Sequence, residues 1–415
     1  MALSSVKSKT ISINEWEYSE EIPLSINEIE FLQKKVNEDK KDSKIQVIHK
    51  RDNLYELRAT SYVGTIKIPN SYVVIIRPKI SEIDFVKMLA YSEDLDVIDL
   101  FDIVYTSKGE DLVDFMAKYF LDITNEIVQQ GIYKSYVSIV DEIPTVKGRL
   151  LISQNVRRAR PTQEKFWCEY DELSTDVLEN QILLYCARLL SVLVKSPKYR
   201  TELFDLEYIL ESQGVSYVNL ENHHLELISI QKLNEHYEKA LRLCRFILNL
   251  IWYGDFSKEE IPIFGFLYDM DVLFERFVAR LFSDFLPLRV IPQKGKKAWQ
   301  YDDGRTAQIR TDILVYDKSG KLNSIIDTKY KKAISEGDRF QIGFYIHEYG
   351  KKEGFAILPK HSESKDHSVM STQQGITINV RHIDIQKTLS LLYSNEPKAR
   401  ENLKETVLEL ITIPN

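Results

Sequence analysis

The sequence contains the run Thr311-Asp312-Ile313-Leu314-Val315-Tyr316 and, after a short polar turn, the run Ile325-Ile326-Asp327-Thr328-Lys329-Tyr330. Both runs are apolar, which predicts two successive strands. Residues two apart on a strand point to the same face, so Asp327 and Lys329 are expected to be neighbours while Thr328 points away. Asp312 joins them if its strand lies next in the sheet. The sequence therefore predicts two carboxylates and a lysine at one place.

This trio suits the hydrolysis of a phosphodiester. Asp312 and Asp327 are candidate Mg²⁺ ligands that leave positions open for water, and the backbone carbonyl of Thr328 is a candidate additional ligand. A bound metal ion lowers the pKa of water and polarises the phosphate, and Lys329 orients the nucleophile or stabilises the developing charge. The alternative is a ladder of surface salt bridges on an edge strand. Another Asp-x-Lys triplet, Asp42-Ser43-Lys44, follows no apolar strand, so the context favours the functional interpretation.

Two further residues are candidates for the same site. Glu275 lies among apolar residues of a predicted helix and is a possible catalytic or metal-binding carboxylate; the alternative is an ordinary salt bridge. Gln341 follows Lys329 on a predicted helix and shares a face with Asp338 and Tyr345. These side chains are candidates to reach the site or a DNA backbone. The alternative is that Asp338 caps the helix and Tyr345 packs in the core.

The bulk composition bounds the class of protein. A hydrophobic fraction of 44% and a charged fraction of 28% are typical of a globular protein, and no apolar run approaches the length of a membrane span. The first residues lack the apolar core of a signal peptide. The three cysteines form no metal-binding spacing and suggest no disulfide framework. These features predict a cytoplasmic location without membrane contact.

The net charge of −7 excludes a chain that is a basic nucleic-acid binder as a whole. Phosphate contacts therefore need local basic patches. Two such patches occur, at residues 145–165 and at residues 289–310, and the second runs directly into Asp312. The alternative for either patch is a solvated surface. The sequence has no G-x-x-x-x-G-K-[ST] phosphate loop, so it shows no means of hydrolysing a nucleotide itself.

The periodicity predicts an α+β multidomain chain. Residues 1–95 are strand-rich, residues 96–255 are mainly helical, and residues 256–415 form a mixed α/β layer. Residues from Asp171 to about Ser196 are predicted as helix, with Ser174 as a candidate cap. The C-terminal elements are predicted in the order helix 271–286, strands 288–291, 309–316 and 322–330, helix 337–349, strands 354–358 and 376–380, and helix 385–392.

The acid–lysine pattern resembles the PD-(D/E)xK nuclease superfamily, with Thr311 in place of the frequent proline. The wider pattern is similar to the McrC family, the nuclease subunits of McrBC modification-dependent restriction systems. The stretches that carry this resemblance span most of the chain from about residue 60: Tyr62–Ile66, Ile76–Ile80, Lys147–Leu150, Cys168–Asp176 with Asn180, Met270–Glu275, and the region from Asp312 to Gln341.

The resemblance implies the following organisation. Residues 1–95 form a partner-binding domain, residues 96–255 a middle domain, and residues 256–415 a PD-(D/E)xK endonuclease domain that uses Mg²⁺. The partner is an McrB-like AAA+ GTPase hexamer, which binds the GTP and recognises double-stranded DNA with modified cytosine, such as 5-methylcytosine. The chain stimulates that GTPase and cuts after translocation. Two alternatives remain open: a non-catalytic adaptor of an AAA+ motor, and a stand-alone DNA nuclease.

Overall fold

A computed structural model describes residues 9–37, 43–68, 72–93, 112–157, 164–218, 234–253 and 263–412. Contacts between residues divide the chain into two compact units, Met1–Val97 with Phe266–Asn415, and Ile98–Gly265. The division into three domains at residues 95 and 255 stays a prediction. The predicted domain boundary at residue 255 and two basic residues of the patch at residues 145–165, Arg158 and Arg160, lie outside the described residues.

The N-terminal part of the first unit is rich in strands, as predicted. Its elements are β1 Lys9–Asn14, β2 Ile22–Pro23, α1 Ile26–Phe31 continued by a π-helical turn Leu32–Val36, β3 Ile45–His49, β4 Leu54–Ala59, β5 Tyr62–Lys67, β6 Tyr72–Arg77 and α2 Glu82–Ser92. Strand β1 pairs in parallel with β6, and β6 pairs in antiparallel with β5. Ser25 caps α1 and exchanges hydrogen bonds with Glu28, which completes a capping box.

The second unit is mainly helical. Its elements are α3 Leu112–Gln130, β7 Ser135–Ile143, β8 Arg149–Leu150, α4 Ile152–Arg157, β9 Phe166–Ser174, α5 Leu178–Leu193, α6 Pro197–Ser212, a 3₁₀ turn Glu235–Tyr237, α7 Glu238–Leu250 and β10 Ile251–Tyr253. Gly131 follows α3 with a φ of 96°, a conformation that glycine adopts without strain, and the helix ends before it.

The prediction of a helix from Asp171 is wrong. Residues 171–174 belong to β9, because β9 pairs along its whole length with β7, with Leu173 opposite Tyr136. Helix α5 begins only at Leu178 and Val177 is its N-cap, so Ser174 does not cap it. The buried Asn180 accepts a hydrogen bond from the Tyr237 hydroxyl at 2.7 Å and donates to backbone carbonyls. Its role in this unit is therefore structural.

The C-terminal part returns to the first unit as a six-stranded mixed sheet with helices. Its elements are β11 Ile263–Asp269, α8 Met270–Phe285, β12 Arg289–Gln300, β13 Thr306–Tyr316, β14 Leu322–Thr328, α9 Glu336–Glu348, β15 Glu353–Pro359, β16 His367–Met370, β17 Thr377–Ile383, α10 Ile385–Leu392 and α11 Ala399–Glu409. The sheet order is β12-β13-β14-β15-β17-β16. Strands β12 to β14 are antiparallel neighbours, whereas β14, β15 and β17 run parallel.

Apolar side chains fix both helices that flank the site. Ile342 and Ile346 of α9 are fully buried and pack with Leu314 of β13 and Ile325 of β14. Helix α8 packs against β12, β13 and β14. Because residues 313–315 of β13 and 325–326 of β14 are buried without interruption, the adjacent Asp312 and Asp327 are held on a rigid part of the sheet.

Several predicted bounds in this part are wrong. Strand β12 was predicted to end at Ile291, but it continues to Gln300, and Gln300 pairs with Thr306. The added half is polar, and backbone hydrogen bonds to β13 hold it in place. Because its side chains are not buried, the sequence shows no apolar pattern there. The sequence also gave no prediction for β16 or α11. No helix in the described ranges combines the length and the apolar character that crossing a bilayer requires.

Candidate active site

The sheet brings Asp312, Asp327 and Lys329 together. Ile313 of β13 pairs with Ile326 of β14, so Asp312 and Asp327 are the next residues of two adjacent strands. Asp327 is fully buried, and its Oδ2 lies 2.8 Å from Nζ of Lys329. Asp312 is half-buried. The arrangement is a buried acid with its cation, beside a second acid that is open to solvent.

Thr328 does not point away from this site, contrary to the alternation expected from a regular strand. Its backbone N donates to Oδ2 of Asp312 at 2.7 Å, and its hydroxyl donates to the same oxygen at 3.0 Å. The physical reason is that β14 ends at Thr328. Beyond it, the backbone N of Lys329 still donates to the carbonyl of Ile357 on β15. Thr328 therefore orients the carboxylate of Asp312.

The pKa values of the trio reflect burial and mutual charge. Burial and the nearby carboxylate of Asp312 raise the pKa of Asp327 to about 7, while Lys329 acts to lower it. Burial acts to lower the pKa of Lys329, but the attraction of Asp327 and Asp312 outweighs burial and the pKa is raised. Since this pKa is close to neutral, the carboxyl of Asp327 readily loses its proton when a cation binds beside it.

Glu275 on α8 lies near Asp312. Burial raises its pKa, and the carboxylate of Asp312 raises it further. Its Oε1 accepts a hydrogen bond from Nε2 of Gln293 at 2.9 Å. In the described structure the side chain of Glu275 is thus held by an amide, rather than by the basic partner that the salt-bridge alternative requires.

Gln293 is also part of the site, although no sequence pattern predicted a role for it. It lies on β12 between Pro292, which pairs with Ile313, and Lys294, which pairs with Thr311, so it is opposite Asp312. Its Oε1 accepts a hydrogen bond from Arg310. Its φ is 51°, a left-handed conformation that strains a residue with a Cβ.

Replacing Gln293 separates its two contributions to the molecule. Gln293→Ala removes the amide and keeps the strained backbone, whereas Gln293→Gly removes the amide and relieves the strain. We expect the glycine variant to be more stable than the alanine variant by about 1 kcal/mol. Urea unfolding of both variants measures this difference. An alanine variant as stable as the glycine variant would contradict the left-handed conformation at this position.

Gln341 contacts Tyr345, with which it was predicted to share a helix face. Its side chain is exposed, and its Nε2 donates to the hydroxyl of Tyr345 at 2.8 Å. Tyr345 is buried, and burial together with the charges of Asp327 and Asp312 raises its pKa, so it lies near the acids. Asp338 forms a capping box with Ser335 at the start of α9. The capping and packing alternative is therefore confirmed for Asp338 and Tyr345, and a role of Gln341 in the site stays a prediction.

The donor atoms fit a hard divalent cation. Oδ1 of Asp327 is buried and has no hydrogen-bond partner, which is costly unless a cation neutralises it. Among the residues that the structure describes, no three His, Cys, Asp or Glu side chains cluster closely enough to hold a metal ion together. Two carboxylates with several waters match the way Mg²⁺ is usually bound. Asp312 and Asp327 therefore fit Mg²⁺, and the roles of Thr328 and Glu275 as further ligands stay predictions.

Comparisons with known proteins find similarity over most of the chain. A family model described as "McrBC 5-methylcytosine restriction system component" matches residues 57–378. No curated protein sequence matches. A chain in the structure of Thermococcus gammatolerans McrB AAA+ hexamers with bound McrC is 19% identical, with a TM-score of 0.63, and the alignment covers 97% of this chain and 100% of that chain. A chain of the Thermococcus gammatolerans McrBC complex is 22% identical over 67% of this chain and 88% of that chain, with a TM-score of 0.48. At these identities the likeness concerns the fold alone.

Proposed function

Since the chain belongs to the family of McrBC 5-methylcytosine restriction system components, we propose that it is the endonuclease subunit of such a system, of the PD-(D/E)xK type. The observation that carries the proposal is the buried Asp327–Lys329 pair beside Asp312, which lies on the adjacent strand β13. A buried carboxylate with an unpartnered oxygen destabilises the fold. Such a group is expected where chemistry requires it rather than where packing does.

The proposed cofactor is Mg²⁺, held by Asp312 and Asp327, with Glu275 and the carbonyl of Thr328 as further candidates. The bound ion supplies a water of lowered pKa and neutralises charge on the phosphate. Thr328 keeps Asp312 in one orientation through two hydrogen bonds to Oδ2. Fixed ligands of this kind spare the site from reorganising when charge develops.

Lys329 has two tasks in this proposal. Its ammonium lies 2.8 Å from Asp327 and is only 19% exposed, so its position is narrowly defined. There it favours the ionised form of Asp327 before any cation binds, because its charge acts to lower the pKa of that carboxyl. It also offers N–H donors to the attacking water or to the phosphate oxygens, where negative charge accumulates.

The proposed substrate is double-stranded DNA, which the β12–β13 hairpin is suited to meet. Its exposed basic side chains include Lys294 and Lys297 on β12 and Arg305 in the turn that precedes β13. Lys296 and Arg310 are engaged inside the protein, by the carbonyl of Glu348 and the amide of Gln293. Lys294 donates to the hydroxyl of Tyr316 and Arg305 pairs with Asp303, so several of these cations already have partners within the chain. This, with the net charge of −7, supports a system in which a partner supplies much of the DNA affinity.

The proposed partner is an McrB-like AAA+ GTPase hexamer that binds GTP, selects DNA with modified cytosine and is stimulated by this chain. Family membership and the absence of a phosphate loop from the sequence support this proposal. The fold of the chain is also like that of a chain from McrB AAA+ hexamers with bound McrC. A cytoplasmic location remains a prediction.

Cleavage is therefore expected only when all components are present. We expect the purified chain with Mg²⁺ to leave methylated plasmid DNA intact, and addition of the partner with GTP to produce double-strand breaks. Gel electrophoresis of the plasmid measures both reactions, with unmethylated plasmid and GDP as controls. Robust cutting by the chain alone would favour a stand-alone nuclease. Stimulated GTPase activity without cleavage would favour an adaptor.

A further inference from the structure

A glutamate far from the site in sequence is buried next to it. Glu15 directly follows β1, its exposed fraction is 0%, and its backbone N donates to the carbonyl of Arg77 at the end of β6. Its Oε1 accepts from the backbone N of Lys79 at 2.9 Å. The next residue, Trp16, has a left-handed φ of 65°. The ends of two paired strands and a strained turn thus fix this carboxylate.

The same oxygen holds the residue after the catalytic lysine. The hydroxyl of Tyr330 donates to Oε1 of Glu15 at 3.2 Å, a contact that spans 315 positions of the sequence. Tyr330 is itself buried, and its ring lies 5.7 Å from that of Phe274 on α8. A buried tyrosine hydroxyl needs a hydrogen-bond partner. Glu15 is the acceptor that satisfies it.

Contacts to two neighbouring elements hold the segment that contains Lys329. Its own backbone N is bonded to Ile357 of β15 at 2.9 Å, and Nζ of Lys331 lies 2.5 Å from Oδ2 of Asp338 on α9. Between these two anchors, Tyr330 is held by Glu15. Because β14 ends at Thr328, the strand ladder alone no longer determines this segment.

We infer that Glu15 is a positioning residue of the nuclease site: through the hydroxyl of Tyr330 it fixes Lys329 against Asp327. The N-terminal sheet is then part of the machinery that sets the catalytic lysine, and a displacement of the ends of β1 and β6 changes cleavage. This inference rests on the proposed nuclease function. It adds to that function a route by which the N-terminal sheet controls the chemical step.

Tyr330→Phe tests this route, because it removes one hydroxyl and keeps the ring. Tyr393→Phe is a matched control, since the Tyr393 hydroxyl donates to the carbonyl of Lys87 at 3.1 Å across 306 positions, away from Lys329. Two readouts are needed. One is the kcat of DNA cleavage and the Kd for DNA in the complete system with partner and GTP. The other is the acetylation rate of Lys329 in the full chain alone, measured by mass spectrometry.

We expect Tyr330→Phe to lower kcat by about tenfold or more with little change in Kd, because the lysine is misplaced rather than lost. Acetylation of Lys329 should rise several-fold as its ion pair loosens. Glu15→Ala should lower kcat at least as much, because it removes the bond to Tyr330 and also the bond to the backbone N of Lys79. Adding Tyr330→Phe to Glu15→Ala should lower kcat no further, since the bond between the two residues is already absent. The control should leave kcat and acetylation within about twofold of the wild type.

The inference is overturned if Tyr330→Phe leaves both kcat and acetylation unchanged, or if Tyr393→Phe changes them equally. Failure of the proposed function has a different signature. In that case the wild-type system does not cut DNA at all, while the acetylation of Lys329 still reports whether Tyr330 and Glu15 hold it.

Discussion

Asp327→Asn is expected to abolish DNA cleavage and, at the same time, to make the protein more stable at neutral pH. The loss of cleavage follows from removing a metal-binding charge, and we expect it to exceed about a thousandfold. The gain in stability follows from the burial of Asp327, whose Oδ1 has no hydrogen-bond partner. The pKa of Asp327 is raised to about 7 even with Lys329 beside it, so burial of the charge costs more than the attraction of Lys329 returns, and removing the charge relieves that cost.

The direction of the expected change in stability follows from its dependence on pH. The pKa of Asp327 is about 7 in the folded protein against 3.8 for an ordinary aspartate. Between about pH 4 and pH 7 the folded state therefore holds a proton that the unfolded state has released, and the free energy of unfolding falls as pH rises. The asparagine variant lacks this contribution. Its advantage over the wild type grows from near zero at pH 4 to a few kcal/mol, in order of magnitude, above pH 7.

Urea unfolding in EDTA, from pH 4 to pH 8, measures the stability of both proteins, and plasmid cleavage measures activity. Asp317→Asn is a suitable control, because Asp317 lies in the turn between β13 and β14, where it accepts hydrogen bonds from Ser319 and Lys321. It should leave cleavage unchanged within about twofold. If Asp327→Asn lowered stability at every pH and the enzyme still cut, Asp327 would be a structural ion pair.

The strands that carry the trio were predictable because the residues next to the two aspartates are buried one after another. Residues 313–315 and 325–326 are all fully buried, and this produces apolar runs that a single sequence displays. The polar half of β12 is different, because backbone bonds to β13 hold it and its side chains face solvent. Strand β9 was misread for the same reason: residues 171–173 are exposed and polar or amphipathic, and their pairing with β7 decides their conformation.

The surroundings of the trio were not predictable, because they depend on contacts between distant segments. The bond from Tyr330 to Glu15 joins residues 315 positions apart, and nothing in the local sequence of either residue indicates it. Gln293 lies in a basic run, and only its left-handed φ and its bond to Glu275 distinguish it. Local patterns thus identify the reacting groups, whereas the groups that orient them emerge only from the tertiary structure.

Lys329→Met is expected to reduce cleavage by about a hundred- to a thousandfold while the protein still folds. Methionine keeps the length of the side chain and removes its charge. Because Lys329 acts to lower the pKa of Asp327, its loss raises that pKa further, and the carboxyl is then protonated at pH 7. Binding of Mg²⁺ competes with this proton, so the apparent affinity for the metal should fall at pH 7 and recover as the pH rises.

These two effects of Lys329 can be told apart by raising the pH. If the lysine acted only by keeping Asp327 ionised, cleavage by Lys329→Met would return to the wild-type rate at high pH and high Mg²⁺. We expect binding of Mg²⁺, measured by calorimetry, to recover under these conditions and cleavage to stay low, because the N–H donors for the water and the phosphate are still missing. Lys318→Met, in the exposed turn after β13, is the matched control and should cut normally. Full recovery of cleavage would reduce the role of Lys329 to electrostatic support of its neighbour.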